Sequence, residues 1–174
     1  MIPAIGQLVI YGTNGICRVE DKRTEALGGA AKEYFILRSL SDKRGMTIYL
    51  PTDSEQLLAT VHPILSPEEL AALVRDTLPL ADGEWPADAR TRTKRTREIL
   101  ASGNRARLIA LVKTLHRDAL RDSARGKKPT PSSEAARARA CEMLYEEFAL
   151  AFEMQEEDTL PFLLGELTPA VREK

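Results

Sequence analysis

Apolar positions change their period once along the chain. Between residues 7 and 51 they alternate with polar ones in short runs, the pattern of strands that bury one face. From Ser66 onward they recur every three or four residues, the pattern of helices. Residues 7–11, Gln7-Leu8-Val9-Ile10-Tyr11, form the first β-rich run. Gly12-Thr13-Asn14-Gly15 is a turn in which Asn-Gly can supply the positive φ of a tight reversal. Residues 16–23 resume the alternation, with Ile16, Arg18 and Glu20 on one side and Cys17, Val19 and Asp21 on the other. Gly28-Gly29 marks a second turn. Residues 32–40 read as a third strand, with Tyr34, Ile36 and Arg38 facing one way and Phe35, Leu37 and Ser39 the other. Residues 42–45 turn the chain. Residues 46–50 make a fourth strand, closed by Pro51, which has no N–H for a ladder. Residues 52–65 read as a connection, with a short extra element between Asp53 and Leu58. Four or five short strands with tight turns predict a small curled sheet or SH3-like barrel.

The helical part opens on Ser66-Pro67-Glu68-Glu69, in which Ser caps, Pro takes the first helical position and Glu completes a capping box. Leu70, Leu73, Val74 and Leu78 share a face, and Pro79 stops the helix. The loop of residues 80–84 presents Trp85. A helix over about 88–101 has a weak apolar stripe of Ala89, Thr93, Thr96 and Leu100, with Ile99 beside it. Arg90, Lys94 and Arg97 fall on one side of it at i, i+4 and i+7, flanked by Arg92 and Arg95. Ser102-Gly103 ends it and Asn104 caps the next. Residues 105–121 turn Leu108, Leu111, Val112, Leu115 and Ala119 inward and Arg107, Lys113, Arg117 and Arg121 outward. After a loop at 123–133 a long helix runs from Ser132 or Ser133 to about Met154, with Ala136, Ala140, Leu144, Phe148, Ala151 and Phe152 inward. Thr159-Leu160-Pro161 starts one more short helix, docked by Phe162-Leu163-Leu164, and the end beyond Pro169 frays. The fold class is α+β: a small β-barrel domain over residues 1–62, then an all-α domain over 63–174.

Composition adds little to this and charge adds more. A chain of 174 residues with 43% hydrophobic content holds one ordinary domain or two small ones. No run is long and apolar enough to cross a bilayer, and Met1-Ile2-Pro3-Ala4 lacks the basic start and apolar core of a signal peptide. A cytoplasmic, monomeric protein without a membrane partner is expected. Cys17 and Cys141 have no ligand spacing and read as buried reduced thiols. His62, just before Pro63, reads as a hinge, and His116 as part of a basic face. The formal net charge of −1 hides an uneven distribution. Residues 86–128 carry 13 Lys/Arg against 4 Asp/Glu, and residues 142–174 carry 2 against 9. One aromatic, Trp85, beside so basic a stretch suggests contact with a polyanion, most simply nucleic acid. A solvated helical face explains the charge alone equally well. For Trp85 the choice is between packing under its loop and stacking on or wedging between bases.

No enzyme chemistry stands out. There is no phosphate-binding glycine loop, since Gly28-Gly29 lies between strands, and there is no nucleophile elbow or Cys-His pairing. Glu146-Glu147 reads as a solvated helical face, and Glu156-Glu157-Asp158 as a cluster favoured by a helix start. No catalytic residue, metal or cofactor is expected, and the chain reads as a binding protein.

The order of these features resembles the CarD/CdnL family of bacterial transcription regulators. The residues that carry the resemblance are Gly6, Val9, Tyr11, Gly15, Val19, Lys32-Glu33-Tyr34, Leu37 and Pro51, then Ser-Pro-Glu-Glu, the lone Trp85, Ala101-Ser102-Gly103 and Leu144-Tyr145-Glu146-Glu147-Phe148-Ala149-Leu150. The resemblance implies a Tudor-like N-terminal domain, related to the polymerase-interacting module of the transcription-repair coupling factor, that docks on a lobe of the RNA polymerase β subunit. It implies a helical domain that contacts promoter DNA with little sequence specificity. Trp85 would enter the minor groove as a wedge and stabilise the open complex, with phosphate contacts from Arg90, Arg92, Lys94 and Arg95. Arg38, Thr47 and Tyr49 on strands three and four fall in the polymerase-docking region. Pro86-Ala87-Asp88-Ala89 departs from the family, in which basic and aromatic residues commonly follow the Trp directly; Gly12 stands where Pro is common. The competing reading is a protein-interaction module whose basic helices are structural or bind RNA.

Overall fold

The computed structural model describes residues 2–40 and 45–172, and the chain divides into two compact units, Met1–Ile64 and Leu65–Lys174. The first is a β domain and the second a helical domain. Of the turn expected at 42–45, residues 42–44 lie outside the described residues.

The β domain is one antiparallel sheet of five strands: β1 (Leu8–Tyr11), β2 (Ile16–Glu25), β3 (Lys32–Ser39), β4 (Thr47–Pro51) and β5 (Val61–Pro63), in the order β4-β3-β2-β1-β5. The helical turn α1 (Glu55–Leu58), capped by the Ser54 hydroxyl, precedes β5. β5 comes from the stretch read as a connection; three residues are too few to show a period. His62, read as a hinge, stands in that ladder opposite Ile10. The first reversal rests on its glycines, Gly12 at φ 50° and Gly15 at φ 68°, and not on Asn14. A bulge between Val19 and Asp21 breaks the expected alternation of β2 and sets Asp21 opposite Ile36. Val9, Cys17, Val19, Phe35, Leu37, Leu50 and Val61 form the core on one face. β3 is buried on both faces from Tyr34 to Leu37, as suits a strand with neighbours on either side.

The helical domain begins with α2 (Pro67–Asp76), where the Ser66 hydroxyl accepts from Glu69 N–H and the Glu69 carboxylate accepts from Ser66 N–H. α2 ends at Asp76, before Pro79. Leu78, expected on its inner face, lies beyond the helix and is 76% exposed. Lys113, expected outside, reaches back instead. Its Nζ donates to the carbonyls of Val74 and Thr77 and so satisfies the end of α2. Burial lowers the pKa of this ammonium.

α3 (Ala89–Ser102) is capped by Asp88 and stopped by Gly103 in the left-handed conformation. It buries Ile99 alone. α4 (Arg105–Ser123), capped by Asn104, is the central helix and buries Leu108–Val112, Thr114 and Leu115. α5 (Pro131–Ala151), capped by Thr130, buries Ala140, Leu144, Phe148 and Ala151. It stops at Ala151, not at Met154, because residues 152–153 leave as a two-residue strand. This strand, β6 (Phe152–Glu153), pairs with β7 (Ala170–Val171), so the end expected to fray is held as far as Arg172, whose N–H donates to Ala151. Between them α6 (Thr159–Leu164) places Phe162 edge-on to Phe148 and Phe152, with centroids 5.2 Å away in each case. Each such fully buried side chain contributes about 1.5–3 kcal/mol.

Glu147, read as part of a solvated face, is buried at 2% exposure. Its Oε1 lies 2.9 Å from Arg105 Nη1 and accepts from Leu65 N–H at 3.0 Å. Burial raises its pKa, and Arg105 and the Leu65 N–H oppose that rise. Neither Cys17, which is buried, nor Cys141, which is half-buried, forms a disulfide, and burial pushes the Cys141 thiol up to about 11.

Candidate polymerase and nucleic-acid interfaces

Three candidate residues meet on the sheet. Arg38 on β3 pairs across the ladder with Thr47 on β4, and Tyr49, two residues on, pairs with Ile36. All three therefore project from one face. The bulge residue Glu20 holds Arg38 by an ion pair at 2.8 Å. Tyr34 meets Tyr49 edge-on, at 6.1 Å between centroids, which leaves the Tyr49 ring 38% exposed. Leu40 and Met46, expected at the ends of strands three and four, lie just outside β3 and β4 as exposed apolar side chains. β4 is an edge strand, and among the described residues no strand pairs along its outer side. An edge with free backbone donors and acceptors, next to a mixed apolar and cationic face, is suited to a protein partner.

The basic stretch is less uniform than its charge suggests. Trp85 is 6% exposed and packs in the core of the helical domain with Leu80 and Leu115. Its backbone N–H closes a turn on Ala81, and its indole Nε1 donates to Asp118 Oδ2 on α4 at 2.7 Å. The Arg92 guanidinium lies over the indole at 5.6 Å, donates from Nε to the Pro86 carbonyl, and stands 3.7 Å from Asp118. Trp85 and Arg92 are thus brought together, with Asp118 as a third member that the sequence reading missed. Nothing local marks Asp118, because the bond spans 33 positions.

The other candidates separate. Arg90 and Lys94 project into solvent from α3, while Lys94 and the half-buried Arg95 share Glu98 at 4.0 and 3.7 Å. Exposed pairs of this kind are weak and yield readily to a phosphate. Several further cations of the stretch are structural. Lys113 caps α2, Arg105 pairs with Glu147, and Arg117 donates to the Leu80 carbonyl. Among the described residues the side chains of Arg90, Arg97, Arg107, Arg121, Arg125, Lys127 and Lys128 are exposed and make no ion pair. The described residues include no cluster of three metal-ligating side chains and no helix long and apolar enough to cross a membrane.

The chain thus has two parts: a β domain with an open edge strand, and a helical domain with exposed cations that make no ion pair among the described residues. Residues 4–64 match the CarD-like/TRCF RID domain, so the β domain belongs to this family of RNA polymerase-interacting, transcription-related modules. Domains of this family are non-enzymatic interaction modules. No curated protein matches the chain.

Proposed function

We propose that the protein is a bacterial transcription regulator that docks on the β-subunit lobe of RNA polymerase and contacts promoter DNA beside it, with little sequence preference, to stabilise the open complex. The observation that carries this reading is the RID match over a domain whose β4 edge is open. In this reading the lobe adds a strand along β4, and Arg38, Thr47 and Tyr49 set the specificity. Tethering then supplies the helical domain to DNA at high effective concentration, so its own affinity for DNA is low and salt-dependent. Arg90 and Lys94 meet phosphates. An inserted wedge requires an exposed indole. At 6% exposure Trp85 serves instead as the packed base that holds Arg92 and the start of α3.

The test is binding of the full chain to the isolated β-lobe fragment by biolayer interferometry. Saturable binding that Tyr49→Ala and Arg38→Glu weaken at least tenfold is expected. Absence of binding by a chain with native circular dichroism overturns the reading. On promoters, Arg90→Ala with Lys94→Ala shortens open-complex lifetime and leaves lobe binding unchanged.

A further inference from the structure

A groove of about 530 Å³ opens in the helical domain, lined by α3 and α5 and by the second half of α4. Its volume falls in the range of small-molecule sites. Leu100, Leu115, Ala119 and Ala136 supply its apolar lining, and the enclosed Trp85 borders it. Most of its polar side chains are already engaged. Arg92 stands 3.7 Å from Asp118, Arg139 pairs with Glu142 at 2.6 Å, and the Thr93 hydroxyl donates to the Ala89 carbonyl. The Thr130 hydroxyl bonds to those of Ser132 and Ser133. Two charged groups are left. The Arg97 guanidinium on α3 and the Asp122 carboxylate on the last turn of α4 make no ion pair or side-chain hydrogen bond among the described residues.

One free charge of each sign discriminates between occupants. An anion, a nucleic-acid phosphate included, meets Arg97 but is repelled by Asp122. A cation meets Asp122 but is repelled by Arg97. A purely apolar group leaves both charges desolvated without a partner. A molecule with an apolar body and one charge of each sign pairs with both and covers the apolar lining. We propose that the groove binds an apolar zwitterion, of the class of free amino acids and di- or tripeptides, with its ammonium at Asp122 and its carboxylate at Arg97. The effect of such a ligand falls on α3. That helix buries Ile99 alone, so little holds its inner side. Arg90 and Lys94 project from the same helix into solvent. An occupant packed on Thr93, Thr96 and Leu100 adds contacts to α3 and narrows its motion. It thereby couples the ligand to the partner that Arg90 and Lys94 meet. The site stands on its lining and does not depend on the promoter reading.

The full-length protein is titrated with dileucine, with N-acetyl-dileucine, which keeps only the negative charge, and with dileucine amide, which keeps only the positive one. Binding is read by calorimetry and by the emission of Trp85, the only tryptophan of the chain. Dileucine should bind saturably, and each blocked form about tenfold more weakly, the loss of one charge-assisted bond. The variants cross with the probes. In Asp122→Asn, N-acetyl-dileucine should bind as well as dileucine, and in Arg97→Gln the amide should do so. If either variant fails to fold, Ala135→Leu, which narrows the groove from an exposed position on α5, should weaken dileucine at least fivefold. Hydrogen exchange of α3 amides should slow at least threefold at saturation. Leucine and trileucine are titrated alongside, and tighter binding of either supports the class and fixes the length of its member. Absence of binding by every probe overturns the proposal. Equal affinity of the three dileucine probes for wild type, or an unchanged ranking in the variants, overturns the charge pairing and with it the zwitterion. Binding that leaves α3 exchange unchanged overturns the groove as its place.

Discussion

The two domains use their charges in opposite ways. In the β domain the ion pairs lie on the surface: Lys22 with Glu33, Lys32 with Asp53 and Arg38 with Glu20, all with substantially exposed partners. The core beneath them is apolar. In the helical domain charges enter the architecture. The buried Glu147 pairs with the half-buried Arg105, Lys113 closes α2, and Asp118 anchors Trp85. A small sheet satisfies its backbone through its ladders, whereas each helix leaves carbonyls and N–H groups at its ends that side chains must serve. A basic stretch in a helical domain is therefore a sum of structural cations and free ones, and only the free ones are available to a partner.

The largest effect expected from this contrast is at Glu147. Glu147→Ala takes from the half-buried Arg105 its carboxylate partner at 2.9 Å and from Leu65 N–H its acceptor, and should cost the helical domain about 3–5 kcal/mol. Urea unfolding followed by Trp85 fluorescence measures this. A cost under about 1 kcal/mol would mean that the pair behaves as a surface pair. The double change Arg105→Met with Glu147→Leu should recover most of the loss. In the β domain the comparable position is apolar. Leu37→Ala should cost about 2–5 kcal/mol, read as faster hydrogen exchange of β3 amides, while lobe binding of the remaining folded fraction is unchanged.

Next in size is Asp118→Ala, which removes the charged acceptor of the Trp85 indole and should cost about 1.5–3 kcal/mol. It should also shift Trp85 emission to longer wavelength as the ring becomes hydrated. Emission unchanged from wild type would show that packing alone holds the indole.

The smallest effect concerns pH, and its sign distinguishes the buried Glu147 from the exposed carboxylates of both domains. Lys22 holds the Glu33 carboxyl below the ordinary glutamate value, and Lys32 does the same for Asp53. Their contribution is present above ordinary carboxylate values and is lost as pH falls through the lowered ones. Glu147 is raised by burial, so its folded state binds a proton more readily than the unfolded chain. Its contribution is full below the ordinary glutamate value and declines as pH rises through the raised one. Glu69 and Asp88, lowered by their capping bonds, act in the opposite sense within the same domain. The difference between wild type and Glu147→Gln isolates the buried group. Wild type should lose stability relative to the variant as pH rises from acid toward neutral, and a constant difference would show that Glu147 titrates normally.

Much of this molecule was legible from local pattern. Alternation located β1 to β4, and the capping chemistry of Ser66, Asn104 and Gly103 placed helix boundaries to within a residue or two, because these signals depend on neighbours a few positions apart. The part of the resemblance that runs from Gly6 to Pro51 lies within the stretch that the family match covers, residues 4–64, and the part in the helical domain lies outside it. β5 escaped because three residues carry no period. Glu147 escaped because a helical pattern tells which face is apolar but not whether a charge on it has found a partner 42 positions away. Which of the arginines are free, and that Trp85 is enclosed, are likewise facts of long-range packing. The sequence by itself determined the succession of strands and helices and the sign of the charge on the middle helices, since periodicity and charge are read residue by residue. Only the tertiary structure decided which charges are consumed in holding the fold, because burial and pairing are properties of the surroundings and not of the residue.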